Sequence, residues 1–310
     1  MTKVAFITGT TGQDGSYVAE LKLEKGYEAY SLKRRSSLFN TSWIDHIYQD
    51  PHTAKDKLHL HYSDLSDASY VNALGTLDIL KAIHIQDLEK KSLFYQVSTP
   101  ELYGLARKKS RTKTTPFYSS SPNAADKLYA HWTTANYLDA YGMYACNGTQ
   151  FNHESPRRDK TSATRKITRY LANIAQGPQS CLYMGNLGAK HNWGHAKNYV
   201  KMQRLIPQQE RTEDFVIATG VQQSVRNFIK LTAAEISVAL KFEHVRINET
   251  ATTIEVDHTQ APNIALSDII LRIDSHYSRT PKVKTLLGMQ GKPNKNKASS
   301  QAASQQRLCS

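Results

Sequence analysis

The sequence predicts an α/β fold in which helices cover both faces of a parallel sheet, with a smaller unit formed by the C-terminal part of the chain. Three observations point there. Strand-like and helix-like segments alternate from the first residues onward. The stretch "GTTGQDG" places Gly9, Gly12 and Gly15 between the first strand and the first helix, where a tight turn is needed. A chain of 310 residues, 39% hydrophobic and 22% charged, can bury one large core or two unequal ones.

"KVAFITG" is an apolar strand and "SYVAELKLEKG" a helix that ends at Gly26. The sheet-facing side of that helix carries Val18 and Leu21 but also Lys22, which must snorkel outward or weaken the contact. "YEAYSLK" and "KLHLHYSD" supply two more strands. From the end of the latter near Asp64 to the next strand near Ser92 there are about 27 residues, read as one helix striped by Val71, Leu74, Leu77, Leu80 and Ile83. A doubly wound sheet of the Rossmann type crosses over here through a helix, a strand and a second helix, so this sheet is expected to lack one strand. A single helix can still bridge the gap, at roughly 4.8 Å between strands and 1.5 Å of rise per residue. Next come the strand "SLFYQVST", a helix from Pro122 to about Tyr141 capped by Ser121, and the strand "MYACNGTQFN". A helix around "TRKITRYLANIAQG", the strand "DFVIATG" and a further helix follow.

No apolar run approaches the roughly 20 residues that span a bilayer, and the N-terminus enters a strand without a signal-peptide pattern, so a cytoplasmic protein is expected. Cys146, Cys181 and Cys309 form no paired framework, which predicts reduced thiols. The net charge is +13 and the pI near 9.5. The basic residues are scattered, however, without zinc-finger spacing or a long basic block, which disfavours nucleic-acid binding. The histidines show no HExxH or comparable pattern, so no metal site is expected. The last 22 residues contain no acid and no aromatic side chain and read as a disordered basic tail.

The glycine triplet lets a backbone approach a pyrophosphate whose charge rests at the helix N-terminus, which points to a dinucleotide. After the second strand, "KRRSS" offers Arg34, Arg35, Ser36 and Ser37 where an acid would select NAD, so NADP is preferred. The bland alternative is a solvated loop end. In "STPELYG", Thr99 and Glu101 stand two apart at a strand end, where a hydroxyl and a carboxylate can serve proton transfer; a turn cap explains them equally well. "FNHESPRR" gathers Asn152, His153, Glu154, Arg157 and Arg158 in one strand-end loop, the arginines suited to phosphates and His153 reading as structural. Arg279 is a further phosphate candidate, with a surface ion pair as its alternative. Lys127 lies one turn beyond Asn123 on the same helix face.

Together, "ITGTTGQDGSY", "EKGYEAYSLKRRSSLFNT", "LHLHYSDLSD", "FYQVSTPELYG", "FNHESPRR", "TRKITR", "NWGHAKNYVKMQ" and "EDFVIATG" resemble the GDP-mannose 4,6-dehydratases of the extended short-chain dehydrogenase/reductase superfamily, nearly full length to about Gly288. The resemblance implies a redox-neutral reaction on GDP-D-mannose: bound NADP+ takes hydride from carbon 4, water leaves across carbons 5 and 6, and hydride returns to carbon 6. Carried over by position, Gly9, Thr10, Thr11, Gly12, Gln13, Asp14, Arg34, Arg35, Ser36, Ser37, Asp64, Leu65, Lys127, His153 and Arg158 would bind the cofactor. Glu101 would be the base and acid of the elimination, Thr99 would hydrogen-bond the sugar near carbon 4, and Asn152 and Arg279 would bind the GDP-sugar. The implied units are a Rossmann domain, 1–152 with 192–222, a GDP-sugar domain, 153–191 with 223–288, and the tail 289–310. A homodimer or homotetramer is implied as well.

The sequence departs from the family pattern in several places. Asn123 stands where the family has the tyrosine that takes the proton of the 4-hydroxyl, and a carboxamide cannot accept it. A segment of roughly thirty residues with a strand and a functional loop is missing between Asp67 and Gly75. Pro100 replaces a small polar residue, His191 and Asn192 replace an Arg-Asp pair, and the family's C-terminal helical region has no counterpart. Three readings follow: a dehydratase without ordinary turnover, a homologue that binds NADP or GDP-sugar beside an intact paralogue, and a polyanion-binding protein acting through its tail.

Overall fold

The computed structural model describes residues 3–34, 41–48, 57–63, 73–104, 110–111, 115–119, 121–244, 248–277 and 287–288. It begins with β1 (Val4–Thr8), α1 (Gln13–Glu24), β2 (Glu28–Arg34) and β3 (Leu58–Ser63). Then come α2 (Gly75–Ile85), β4 (Leu93–Ser98), β5 (Ser110–Arg111), α3 (Pro122–Tyr141) and β6 (Tyr144–Gln150). The chain continues through β7 (His153–Glu154), α4 (Ala163–Gln176), β8 (Leu182–Met184), β9 (Lys190–His191), β10 (Gly194–His195) and α5 (Ala196–Leu205). β11 (Phe215–Ile217), β12 (Gln223–Ser224), α6 (Val225–Ala234), β13 (Val238–Glu243), β14 (Thr250–Val256), β15 (Ile269–Ile273) and β16 (Leu287–Gly288) complete the described elements.

The parallel sheet is divided into two halves, ordered β3-β2-β1 and β4-β6-β11. Among the described residues β1 pairs only with β2 and β4 only with β6, and no strand is described between β3 and β4. The expected loss of a strand therefore takes the form of an interruption in the ladder. Helix packing holds the halves to each other: Tyr17, Val18 and Leu21 of α1 meet Ala196 and Val200 of α5.

One face of the first half is covered as expected, with Ala5, Ile7, Ala29 and Leu58 packed against Val18 and Ala19 of α1. On the other face, among the described residues, no helix packs on β1. Val4 and Phe6 on β1 are 59% and 53% exposed. Phe6 lies in register with Tyr30, whose hydroxyl donates to Glu28 at 2.9 Å, and His59 pairs with the same carboxylate at 2.8 Å. The one described helix of the crossover, α2, is committed elsewhere: Leu80, with Leu77 and Ile83, packs on Tyr137 of α3, on Ala145 of β6 and on Met143 just before that strand. Leu74 is 42% exposed and Val71 lies outside the described residues, so the predicted stripe is realised from Leu77 onward.

This division has a measurable consequence. In an intact doubly wound sheet an apolar residue of β1 is buried on either face. Here Phe6→Ser is expected to change stability by less than about 1 kcal/mol, whereas Ile7→Ala should cost about 2–5 kcal/mol. Urea denaturation of both variants checks this, and a large loss at Phe6 would mean that its face is covered in solution.

Lys22 resolves its conflict by lying half-buried with its ammonium 4.5 Å from the centre of the Tyr27 ring. Burial pushes its pKa down, and the charges of Arg204 and Lys3 act in the same direction. α3 has the bounds read from the sequence: the Ser121 hydroxyl accepts the Ala124 N–H at 3.2 Å, and Gly142 closes the helix with a φ of 59°. A second core lies in the C-terminal part, where β13, β14 and β15 run antiparallel, β8 adds in parallel, and Ile167, Leu171, Ile229 and Leu271 are buried under α4 and α6.

Candidate active site

The loop between β1 and α1 is shaped by its glycines. Gly9 has a φ of 70°, in the left-handed region, and a Cβ on Gly15 would fall 2.2 Å from the Gly9 carbonyl oxygen. The loop closes with Gly12 N–H donating to Gly9 at 2.9 Å, and α1 begins on Gly12 without a side-chain cap. Gly15 thus lets α1 pack directly on the Gly9–Thr10 backbone, and the first N–H groups of the helix are left without a side-chain cap, an arrangement that suits an anion. Thr10 is fully buried and turned inward, its hydroxyl meeting Ser31 Oγ and the Ile7 carbonyl, so its side chain ties β1 to β2. Thr11 is half-buried.

Gln13 and Asp14 connect this loop to the segment after β6. Gln13 donates to the His153 carbonyl at 3.2 Å and accepts from Ser155 Oγ at 2.9 Å. His153 Nε2 meets Asp14 Oδ2 at 2.7 Å, and its Nδ1 meets the Phe151 carbonyl at 2.7 Å. With an acceptor at each nitrogen, the ring is satisfied only as the doubly protonated cation. Burial opposes both charges, yet their hydrogen bond prevails, raising the pKa of His153 and lowering that of Asp14. The Tyr199 ring stacks on His153 at 4.5 Å between centroids. The pair's stabilising contribution is complete between about pH 4 and 6.5, the unfolded-state values. It is lost as pH rises through the raised value of His153 or falls through the depressed value of Asp14. Asp14→Asn should therefore destabilise most near pH 5–6, on the order of 2 kcal/mol, with the difference from wild type shrinking by pH 9 in urea titrations.

The two arginines of this segment divide their work. Arg157 donates to Ser16 Oγ at 3.0 Å and to Glu20 Oε1 at 2.5 Å, and its guanidinium lies 4.0 Å from the centre of the Tyr17 ring. This corrects the reading of both arginines as phosphate partners, because Arg157 is committed to α1. Arg158 is 3.4 Å from Glu154 and its charge reaches Asp14. Asn152 is half-buried, and its carbonyl accepts the Gly194 N–H at 3.0 Å.

At the end of β4, beside the end of β6 through the Ser98–Thr149 register, the chain makes a short 3-10 turn over Pro100–Tyr103. The Thr99 hydroxyl accepts the Glu101 N–H at 3.3 Å, which is the turn cap weighed as an alternative. Glu101 is exposed, and its Oε2 accepts a hydrogen bond from Ser121 Oγ at 3.3 Å. Asn123 is exposed on the first turn of α3. Lys127, one turn on, is half-buried and donates to the Val97 carbonyl at 3.2 Å; burial pushes its pKa down. Ser98 Oγ is buried there with no hydrogen-bond partner among the described residues.

Arg35, Ser36, Ser37, Asp64, Leu65 and Arg279 lie outside the described residues, as does the side chain of Arg34. The structure thus joins Gly9–Asp14 to His153, and Glu101 to the start of the helix carrying Asn123 and Lys127. Sequence reasoning missed Ser155 and Tyr199, whose partners are far away in the chain, and read Ser121 only as a helix cap. Asn192 is buried, its Oδ1 accepting from Thr219 N and Oγ1 at 2.9 Å each, while His191 stacks on Trp193.

The sequence model of the family described as GDP-mannose 4,6 dehydratase matches residues 6–73 and 69–298. The chain belongs to that family. Its GDP-mannose 4,6-dehydratase relative from Vibrio cholerae is 49% identical over 322 residues, covering 93% of this chain and 87% of the relative. GDP-mannose 4,6 dehydratase 2 of Caenorhabditis elegans is 42% identical, covering 94% and 83%. Named members of the dehydratase family are lyases. Among solved structures, a UDP-N-acetylglucosamine 4-epimerase from Methanobrevibacter ruminantium shares the fold with a TM-score of 0.70 at 15% identity, covering 99% of this chain and 98% of the epimerase. A dTDP-glucose 4,6-dehydratase from Bacillus anthracis, solved with NAD, gives 0.65 at 16% identity, covering 75% and 80%.

The alignments also locate the interruption of the sheet. The Vibrio dehydratase alignment spans 322 columns, of which this chain fills 93% of its 310 residues, about 288, so about 34 columns are empty in this chain. The family match breaks into two parts that overlap at 69–73, between β3 and α2.

Proposed function

We propose that this chain acts on GDP-D-mannose as a 4,6-dehydratase, giving GDP-4-dehydro-6-deoxy-D-mannose, with turnover slowed by Asn123. The observation that carries this reading is the glycine-shaped turn at the N-terminus of α1 joined to a strand-end carboxylate, in a chain 49% identical to a named dehydratase over most of its length. The Cβ-excluding turn and the uncapped helix start fit a dinucleotide, which supplies a hydride acceptor beside the sugar. Gly9, Thr11, Gly12, Gln13 and Asp14 would hold its pyrophosphate side, with Lys127, His153 and Arg158 nearby and Thr10 shaping the turn from beneath. Arg34, Arg35, Ser36 and Ser37 favour NADP, and Asp64 and Leu65 complete the set. Glu101 would move the elimination's proton on its carboxylate. Thr99 accepts from the Glu101 N–H and keeps its own hydrogen to donate to the sugar. Asn152 and Arg279 would bind the GDP-sugar.

The return of β11 to β6, and the separate core under α4 and α6, support the division into 1–152 with 192–222 and 153–191 with 223–288. A homodimer or homotetramer in the cytoplasm belongs to the same proposal. Among the described residues no helix is long and apolar enough to cross a membrane.

The deciding experiment incubates the protein with NADP+ and GDP-mannose and looks by mass spectrometry for a GDP-sugar lighter by one water, with an intact family enzyme as control. NADP+ is also expected to raise the unfolding temperature more than NAD+, since a ligand bound only to the folded state stabilises it. Cofactor binding without product would support the second reading, a nucleotide-binding homologue without turnover, which Asn123 favours.

A further inference from the structure

We infer that Ser121 is a positioning residue for the Glu101 carboxylate, aiming it from the first turn of α3; this rests on the dehydratase reading. Ser121 has one hydroxyl proton, and its oxygen already accepts the Ala124 N–H at 3.2 Å. That proton is therefore available to Glu101 Oε2, 3.3 Å away. Among the described residues, Ser121 is the one side chain that hydrogen-bonds the Glu101 carboxylate, while Thr99 holds its backbone N–H.

Both ends of this contact stand on fixed backbone. On the Glu101 side, Thr99 caps the turn, buried Pro100 follows it, and Gly104 closes it with a φ of 46°. A Cβ on Gly104 would fall 1.9 Å from the Tyr118 carbonyl oxygen, and the Tyr118 N–H donates to Leu102 at 2.7 Å. The segment 115–119 is thereby tied, through Tyr118, to the turn carrying Glu101. On the other side, Ser121 is extended, with φ −143° and ψ 154°, and opens a helix of 20 residues. The start of the helix presents its free N–H groups and the positive end of its dipole beside this contact. A hydroxyl that caps the helix and grips the carboxylate makes one atom set both the start of α3 and the direction of Glu101.

The test separates capping from positioning. Ser121→Ala loses both roles, Ser121→Thr keeps both, and Ser121→Asp keeps a good helix cap but offers Glu101 a like charge and no proton. Expected are falls in kcat on the order of 10- to 100-fold for Ser121→Ala and Ser121→Asp, with KM for GDP-mannose little changed. Ser121→Thr should stay near wild type, and Ser121→Asp should unfold at the wild-type temperature. The second readout is the Glu101 carboxyl carbon resonance of the full-length protein at pH 7, assigned with Glu101→Gln. It should move in Ser121→Ala and Ser121→Asp and hold in Ser121→Thr. An unmoved resonance overturns the inference whether or not the enzyme turns over, as does wild-type kcat in Ser121→Asp. A moved resonance in a protein that forms no product upholds the contact and overturns the dehydratase reading instead.

Discussion

Replacing Asn123 by tyrosine should raise the rate of GDP-mannose dehydration by about 10²- to 10⁴-fold, the usual worth of a positioned general base. The residue sits on the first turn of α3, exposed, one turn before Lys127. A phenol has a pKa near 10 in water and a neighbouring ammonium lowers it, because the cation favours the phenolate. Lys127 is anchored for that task, its amine held by the Val97 carbonyl at 3.2 Å. The carboxamide of Asn123 has no accessible conjugate base, so no neighbour can turn it into a proton acceptor. The gain should appear in kcat, with KM for GDP-mannose moving little, since the substitution supplies a group used in the chemical step. The variant should still fall short of a full-length relative, because about 34 columns of the Vibrio alignment have no counterpart here. Recovery to the relative's rate would show that the shortened crossover is tolerated; no gain would show that the dinucleotide and sugar do not meet near α3.

The elements legible in the sequence were those whose causes are local. The Gly9–Gly15 turn follows from glycine sterics, and the limits of α3 from Ser121, Pro122 and Gly142, each acting within four residues. The shortened crossover was legible too, since strand spacing and helix rise are fixed lengths. The exposure of Val4 and Phe6 was not, because both look like core residues in a strand pattern, and among the described residues it is the position of α2 that leaves them uncovered. The direction of the Thr10 side chain was not legible either, since it depends on Ser31 across the β1–β2 pair. The ring of His153 is fixed by Asp14, 139 residues away. No periodicity carries such a contact.

Arg157→Ala should destabilise the protein by about 3 kcal/mol, the lower end of the cost of breaking a buried ion pair. The Arg157 and Glu20 side chains are 16% and 18% exposed, which is enough water to temper the loss without removing it. The guanidinium makes three contacts that one small side chain cannot replace: Ser16, Glu20 and the face of Tyr17. Arg157→Lys should therefore recover only part of the loss, since an ammonium lacks the planar fork. Glu20 keeps a second partner in His46 Nε2 at 2.7 Å, so it is not stranded, and Glu20→Gln alone should cost less than Arg157→Ala. In a double-mutant cycle the two substitutions should be strongly non-additive, because each removes the same contact. Urea denaturation measures all four proteins. The same variants separate this role from a phosphate ligand. An arginine bound to the nucleotide would, on removal, weaken NADP+ binding and leave the ligand-free protein as stable as before. An arginine that holds the segment after β6 on α1 destabilises the ligand-free protein first, and affects the nucleotide only through the Gln13 and Asp14 contacts that the segment supports.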